Sequence, residues 1–185
     1  MKTLIATGVL AALTLTLAAG QVKVTRRLGT TETMNKVRPG MGINSQDRAF
    51  FKLALETNLV EIKLGELAQK KGTQTWTREF GRIMVREHTG AFNEEVVIAE
   101  KLRLPVSKNL SSASQNMIGR LSRMSGQSFD REFRMMMVNG HNMFLGKIEK
   151  EVKSGNNSLI RNHAITLGPV VRLHAKMAER KVTKI

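Results

Sequence analysis

The sequence contains no cysteine, and its 185 residues include only three prolines, one tryptophan and no tyrosine. The absence of cysteine excludes disulfide bonds, iron–sulfur clusters, thiolate zinc sites and cysteine nucleophiles. Aromatic residues make up 4% of the chain, whereas 11 residues are methionine and hydrophobic residues reach 41%. This composition favours helices over sheets, and the hydrophobic content is too high for a disordered chain. We therefore predict one all-α domain of ordinary size.

Motifs of the common enzyme classes are also missing. The sequence has no glycine-rich phosphate loop, no nucleophile elbow and no Ser-His-Asp arrangement in a supporting context. Nothing in the sequence therefore argues for an enzyme, and we predict a non-catalytic protein.

Residues 1–20 have the features of a secretory signal peptide. Lys2 gives a positive start, residues 4–17 carry no charge and are mostly apolar, and Ala18, Ala19 and Gly20 are small. The alternative is a retained membrane anchor, but the apolar stretch is short for the ~20 residues that a span needs. We expect cleavage before Gln21 and a periplasmic or outer-membrane-associated protein.

Basic residues outnumber acidic ones by 30 to 15, and loss of Lys2 would leave a net charge of about +14. An exported basic protein is expected to meet anionic lipids or polymers of the envelope, and no nucleic acid. One hypothesis is an electrostatic adaptor on anionic envelope surfaces. The alternative is a soluble protein that is basic but uses its positive charge to bind no partner. The residues that would serve the adaptor are Arg26, Arg27, Lys36, Arg38, Lys181 and Lys184.

The mature chain is predicted to comprise a flexible basic linker, residues 21–45, and a helical domain, residues 46–182. Apolar periodicity and end signals predict four long helices at 47–71, 76–102, 128–153 and 158–180. A short helix at 115–124 is expected within the long connection of residues 103–126. Gly168 and Pro169 should kink or break the fourth long helix.

Each long helix has one ionisable residue on or beside its apolar face: Glu61, His88, His141 and His174. With ~1.5 Å of rise per residue, all four lie within about two helical turns in depth if residues 103–126 cross the bundle. The second and third long helices would then run parallel. The same geometry places Glu95 and His163 together at a second, deeper level.

Three imidazoles and one carboxylate suit zinc, copper(II), iron or manganese. The di-iron pattern Glu-x-x-His is absent, because valines stand three residues before His88, His141 and His174. The alternative is a buried hydrogen-bond network that fixes helix register without a metal. The run Met135–Met137 could indicate copper(I), but consecutive helical residues point in different directions, which favours core packing.

Four stretches of the sequence resemble a bacterial exported family called domain of unknown function 4142. They are Asn58–Ala68, Met84–Thr89, Phe129–Phe133 with His141, and Pro169–His174. The resemblance spans residues 46–180 and implies a ferritin-like four-helix bundle. It also implies an outer-membrane or periplasmic protein without an established activity, with a role in stress tolerance or in binding small ligands. The family pattern has a histidine at each of His88, His141 and His174.

Overall fold

The computed structural model describes residues 17–18, 21–22 and 42–179. The chain divides into two units, residues 1–39 and 40–185. In the first unit, strand β1 (Leu17–Ala18) pairs with strand β2 (Gln21–Val22) in antiparallel orientation. The predicted signal peptide and basic linker lie mostly outside the described residues, as do the six basic residues of the adaptor hypothesis.

The second unit is a helical bundle, which confirms the predicted all-α, ferritin-like fold. Its helices are α1 (Ser45–Lys71), α2 (Thr75–Leu102), α3 (Ser112–Ser122), α4 (Gly126–Ser154) and α5 (Ser158–Glu179). Helices α1 and α2 form one hairpin, and α4 and α5 form a second. No helix in the described part of the chain combines the length and apolar character of a membrane span.

Contacts at the two ends of the bundle show how the hairpins are aligned. At one end, Asp47 of α1 accepts hydrogen bonds from the backbone of Asn156 and Asn157, between α4 and α5. At the other end, Asp130 of α4 accepts from the backbone of Thr73, between α1 and α2. Helices α2 and α4 therefore run parallel, and the 103–125 connection with α3 returns along the bundle. The predicted long crossover is confirmed.

Helix α1 begins two residues before the predicted start at residue 47. Its first residue is Ser45, and Asn44 is the cap. Asn44 Oδ1 accepts from the backbone of Asp47, whose carboxylate accepts from the backbone of Asn44. This reciprocal capping box satisfies two backbone donors that Ser45 could not both serve from inside the helix.

Helix α5 runs without a break from Ser158 to Glu179, although Pro169 lies inside it. Proline removes one backbone donor, so the helix loses a hydrogen bond at this point. Buried residues on both sides, Ala164 and Val171, keep the two halves packed in the bundle. Of the two predicted outcomes, a kink or a break, the break does not occur, because the helix continues through Gly168 and Pro169.

The apolar core has two clusters, and polar side chains lie between them. One cluster contains Phe50, Phe92 and Phe144, and the other contains Phe80 and Phe133 among its members. Along every long helix, a buried polar residue stands between the residues of one cluster and those of the other: Asn58, His88, His141 and His174. The interruption of the core defines the place of the candidate site.

Candidate metal centre

Three histidines from three helices meet between the two core clusters. His88 lies on α2, His141 on α4 and His174 on α5, and all three are buried. One ring nitrogen of each lies within 4.8 Å of those of the other two. No other group of three or more histidine or carboxylate ligands of this kind occurs in the described residues.

The other ring nitrogen of each histidine has a partner on its own or a neighbouring helix. His88 Nδ1 lies 2.8 Å from Asn58 Oδ1, and His141 Nδ1 lies 2.7 Å from the Met137 carbonyl. His174 Nε2 lies 2.9 Å from Glu87 Oε2. All three partners are oxygen acceptors, so each of these nitrogens carries the proton and donates it.

The remaining nitrogens, His88 Nε2, His141 Nε2 and His174 Nδ1, have no hydrogen-bond partner among the described residues. In a neutral imidazole whose other nitrogen is protonated, such a nitrogen carries a lone pair and can only accept. Three acceptors cannot donate hydrogen bonds to one another. A purely hydrogen-bonded network therefore explains the outer nitrogens of the cluster and leaves the three inner ones unexplained.

Burial keeps His88 and His141 neutral. Burial is the largest cause that lowers the pKa of His88 to about 3, and the charges that His141 and His174 would carry contribute in the same direction. Burial, together with His174, lowers the pKa of His141 to about 4. The hydrogen bond from His174 is the largest cause that lowers the pKa of Glu87 to about 2. At neutral pH the lone pairs of His88 and His141 are therefore available, beside an ionised Glu87.

Glu61, the fourth residue predicted for the site, is on α1 and is also buried. It is not a member of the group formed by the three histidines. Its Oε2 has no partner within the described part of the chain, and burial raises its pKa to about 8. Its Oε1 faces the backbone of Gly140, where an added Cβ would lie 3.6 Å away.

The second polar level predicted from the sequence is present. His163 Nε2 lies 3.1 Å from Glu95 Oε1, which confirms that pairing. Asn58 donates its amide N–H to Glu95 Oε2 at 2.8 Å, and its own oxygen faces His88. Asn58 thereby connects the second level to the three histidines.

Sequence reasoning missed two residues of the site, Asn58 and Glu87. Asn58 stands one helical turn before Glu61, so a second polar residue on the same apolar face was a signal that could have found it. Glu87 is half-exposed and adjacent to His88, and no sequence feature marks its contact with α5.

An aromatic layer closes the site on the side of the α1–α2 turn. The ring of Phe80 packs edge-on against His174, with 6.1 Å between centroids, and lies 6.5 Å from His141. Phe133 and Trp76 pack against Phe80 in turn. These rings exclude water from one side of the histidines, which strengthens electrostatic interactions there.

The chain and its fold are similar to proteins without an assigned function. A family model described as "Domain of unknown function (DUF4142)" matches residues 32–180. None of the curated proteins matches the chain. A crystal structure of a DUF305 fragment from Deinococcus radiodurans has a similar fold, with a TM-score of 0.68 and 12% identity. The alignment covers 78% of this chain and 100% of that fragment.

Proposed function

The chain belongs to the DUF4142 family, and we propose that it binds a divalent transition-metal ion through His88, His141 and His174. The observation that carries this proposal is the set of three buried nitrogens without a hydrogen-bond donor. An ion would accept all three lone pairs at once. Burying such acceptors without a partner costs about 1–3 kcal/mol for each group.

The donor set narrows the choice of metal. Neutral imidazoles are borderline ligands that suit zinc, copper and iron, and affinity for nitrogen sites generally increases from manganese to copper. Metal–imidazole bonds are about 2.0–2.1 Å long, so two nitrogens bound to one ion lie at most about 4.2 Å apart. The ring nitrogens, which are separated by up to 4.8 Å, must therefore move closer together when an ion binds. Three ligands leave a fourth position open for water or another small ligand.

The partners of the outer nitrogens support the same proposal. A ligating histidine usually donates its other N–H to a carboxylate or a carbonyl, which fixes the ring and makes the inner nitrogen more basic. Glu87, Asn58 and the Met137 carbonyl serve the three rings in this way. The Glu87 carboxylate also offsets part of the charge that an ion would bring into the core.

The resulting role is metal binding in the cell envelope, with export through residues 1–20. Sequestration of a transition metal is one way in which an envelope protein contributes to stress tolerance. The proposal does not require catalysis.

Thermal melting with and without metal tests the proposal. The ions are zinc, copper(II), iron(II) and manganese, and the proteins are wild type, His141→Leu and His163→Leu. His163 is the matched control, because it is buried and lies outside the three-histidine group. A ligand that binds only the folded state stabilises it by about 2.7 kcal/mol at a hundredfold excess over Kd.

We expect a metal-dependent rise in Tm for wild type and His163→Leu only. An equal rise in His141→Leu, or no rise in wild type, contradicts the proposal.

One surface supports a second candidate function, docking on anionic lipids. Ile165 and Leu173 of α5 are 49% and 57% exposed. Three cations, Lys153, Arg172 and Lys176, and one carboxylate, Glu149, line the same shallow depression. An apolar patch with a basic rim, on a chain of net charge +15, complements a negatively charged lipid surface.

Vesicle sedimentation tests this second candidate. We expect wild type to bind phosphatidylglycerol vesicles at low salt and to dissociate as salt rises, because the Debye length falls to ~8 Å at physiological strength. The double variant Arg172→Gln/Lys176→Gln should bind more weakly, and the exposed control Lys63→Gln should not. Equal binding to neutral phosphatidylcholine vesicles would refute the electrostatic account.

A further inference from the structure

A groove of about 550 Å³ lies between α1, α3 and α4, and the buried Glu61 forms part of its wall. Its walls are mainly apolar, and methionines from two helices contribute: Met117 from α3, and Met135, Met136 and Met143 from α4. None of the three clustered histidines lines this α1–α4 groove. It is therefore a candidate site separate from the metal centre.

Glu61 forms part of the buried wall of the groove. The residue is only 5% exposed, and its Oε2 has no partner among the described residues. Gly140 is on the opposite wall, and its missing side chain leaves Oε1 uncovered on that side. The groove thus combines an apolar surface with one buried carboxyl group that lacks a counter-charge.

The charge of the groove is opposite to that of the chain. Apart from Glu61, two carboxylates, Glu56 and Glu132, line it together with one cation, Lys147, although the whole chain has a net charge of +15. Glu56 is engaged by Ser111 and Ser114, which leaves its negative charge at the rim. A cation entering the groove would meet a locally acidic surface.

We propose that the α1–α4 groove binds a small organic cation of the alkylammonium class, with its ammonium group on Glu61 and its alkyl chain against the methionines. Methionine side chains are flexible and polarisable, so they adapt to chains of different shape. An ammonium–carboxylate contact away from water is a strong, charge-assisted hydrogen bond. This ligand class is independent of the metal proposed for the histidines.

Ionisation of Glu61 is part of the binding step. Because burial raises the pKa of Glu61 to about 8, its carboxyl group is mostly protonated at pH 7 in the free protein. Binding of an ammonium ion would release that proton to solvent and leave a carboxylate beside the cation. The net charge of the bound pair is then zero, as is that of the protonated carboxyl group alone.

Calorimetric titration of chelator-treated protein with hexylammonium, hexanol and hexanoate tests the proposal, because these ligands share a chain and differ in the head group. We expect wild type to bind hexylammonium at least tenfold more tightly than hexanol, and hexanoate least tightly. Glu61→Gln should remove the preference for the ammonium, whereas the exposed control Glu66→Gln, on the same helix, should keep it.

Gly140→Met provides a second variant, since it fills the wall opposite Glu61 and should weaken hexylammonium and hexanol alike. The melting curve of each variant shows whether it is folded. Equal affinity of wild type for hexylammonium and hexanol would overturn the proposal. A preference that survives in Glu61→Gln, or unchanged affinities in folded Gly140→Met, would also overturn it, because either result would place the ligand elsewhere on the surface.

Discussion

Asn58 joins the two polar levels of the bundle. Its oxygen accepts from His88, and its amide nitrogen donates to Glu95, which also pairs with His163. Only an amide offers a donor and an acceptor at the two ends of one short side chain. Aspartate or leucine at this position would leave at least one buried polar group without a partner.

Glu61 gives the bundle a pH dependence of known sign. Its pKa is about 8 in the folded chain and near the ordinary 4.5 in the unfolded chain. Between these values the folded state binds one more proton than the unfolded state, so the free energy of unfolding falls as pH rises. This contribution is fully present below pH 4.5 and is lost as pH rises through 8.

Glu61→Gln should remove this contribution, because a neutral amide of similar shape does not titrate. We expect the stability of wild type relative to Glu61→Gln to fall between pH 4.5 and 8, by at most about 1.4 kcal/mol per pH unit. Urea denaturation of metal-free protein at a series of pH values measures this difference. A difference that does not vary with pH would mean that the carboxyl group is ionised in the folded state.

The depth of each site residue along its helix was predictable from the sequence, but the direction in which its side chain points around the helix axis was not. Counting residues from the turns placed the three histidines at one level and paired Glu95 with His163. The same count could not say that Glu61 lies outside the histidine group. It also could not identify Glu87 as the partner of His174, because that contact depends on how α2 and α5 are rotated about their axes.

At the scale of elements, α1 and α2 approach each other closely at Gly65 and Gly81. A Cβ added at either glycine would lie 2.7 Å from the carbonyl oxygen of the other. Backbone atoms cannot move aside as a flexible side chain can. These glycines therefore set the distance between the two helices of the first hairpin.

Gly81→Ala should therefore destabilise the protein by roughly 1–3 kcal/mol, the usual cost of overpacking. Gly90→Ala on the same helix is the matched control, because no atom lies within 4 Å of its added Cβ. That change should stabilise by about 0.5–1 kcal/mol, since alanine favours the helix over glycine. Urea midpoints of the two variants give the comparison, and equal effects would show that the close approach is not rigid.

The helices themselves were largely predictable, because their apolar periodicity is strong and their ends carry recognisable signals. Gly72 follows the last residue of α1, and Pro105 lies just beyond α2. Pro169 was harder to interpret, because a proline inside a helix is tolerated when both sides are packed. The burial of α5 in the bundle decided the outcome, and burial is a property of the tertiary structure.

At the scale of the whole molecule, the crossover brings the metal centre together. Residues 103–125 return the chain to the other end of the bundle, so that α2 and α4 run parallel. His88 and His141 stand in the middle of these helices, and His174, near the end of α5, reaches their depth because α5 begins at the opposite end of the bundle. In an up-down-up-down bundle His174 would be displaced from the other two histidines along the axis.

The charges of the molecule are also arranged unevenly. The chain is strongly basic, but its acidic groups Glu56, Glu61 and Glu132 line one groove, and Lys153, Arg172 and Lys176 surround another depression. Two surfaces of opposite character could thus serve two different partners. The metal centre lies in the core, and none of these charged residues belongs to the three-histidine group.

The metal content of the protein, purified without a polyhistidine tag and dialysed against equimolar zinc and copper(II), tests the central claim most directly. We expect about one ion per chain in wild type and in His163→Leu. The triple variant His88→Leu/His141→Leu/His174→Leu should retain none, while its circular dichroism remains that of a helical bundle. Wild type without bound metal, or equal metal in the folded triple variant, would contradict the three-histidine site.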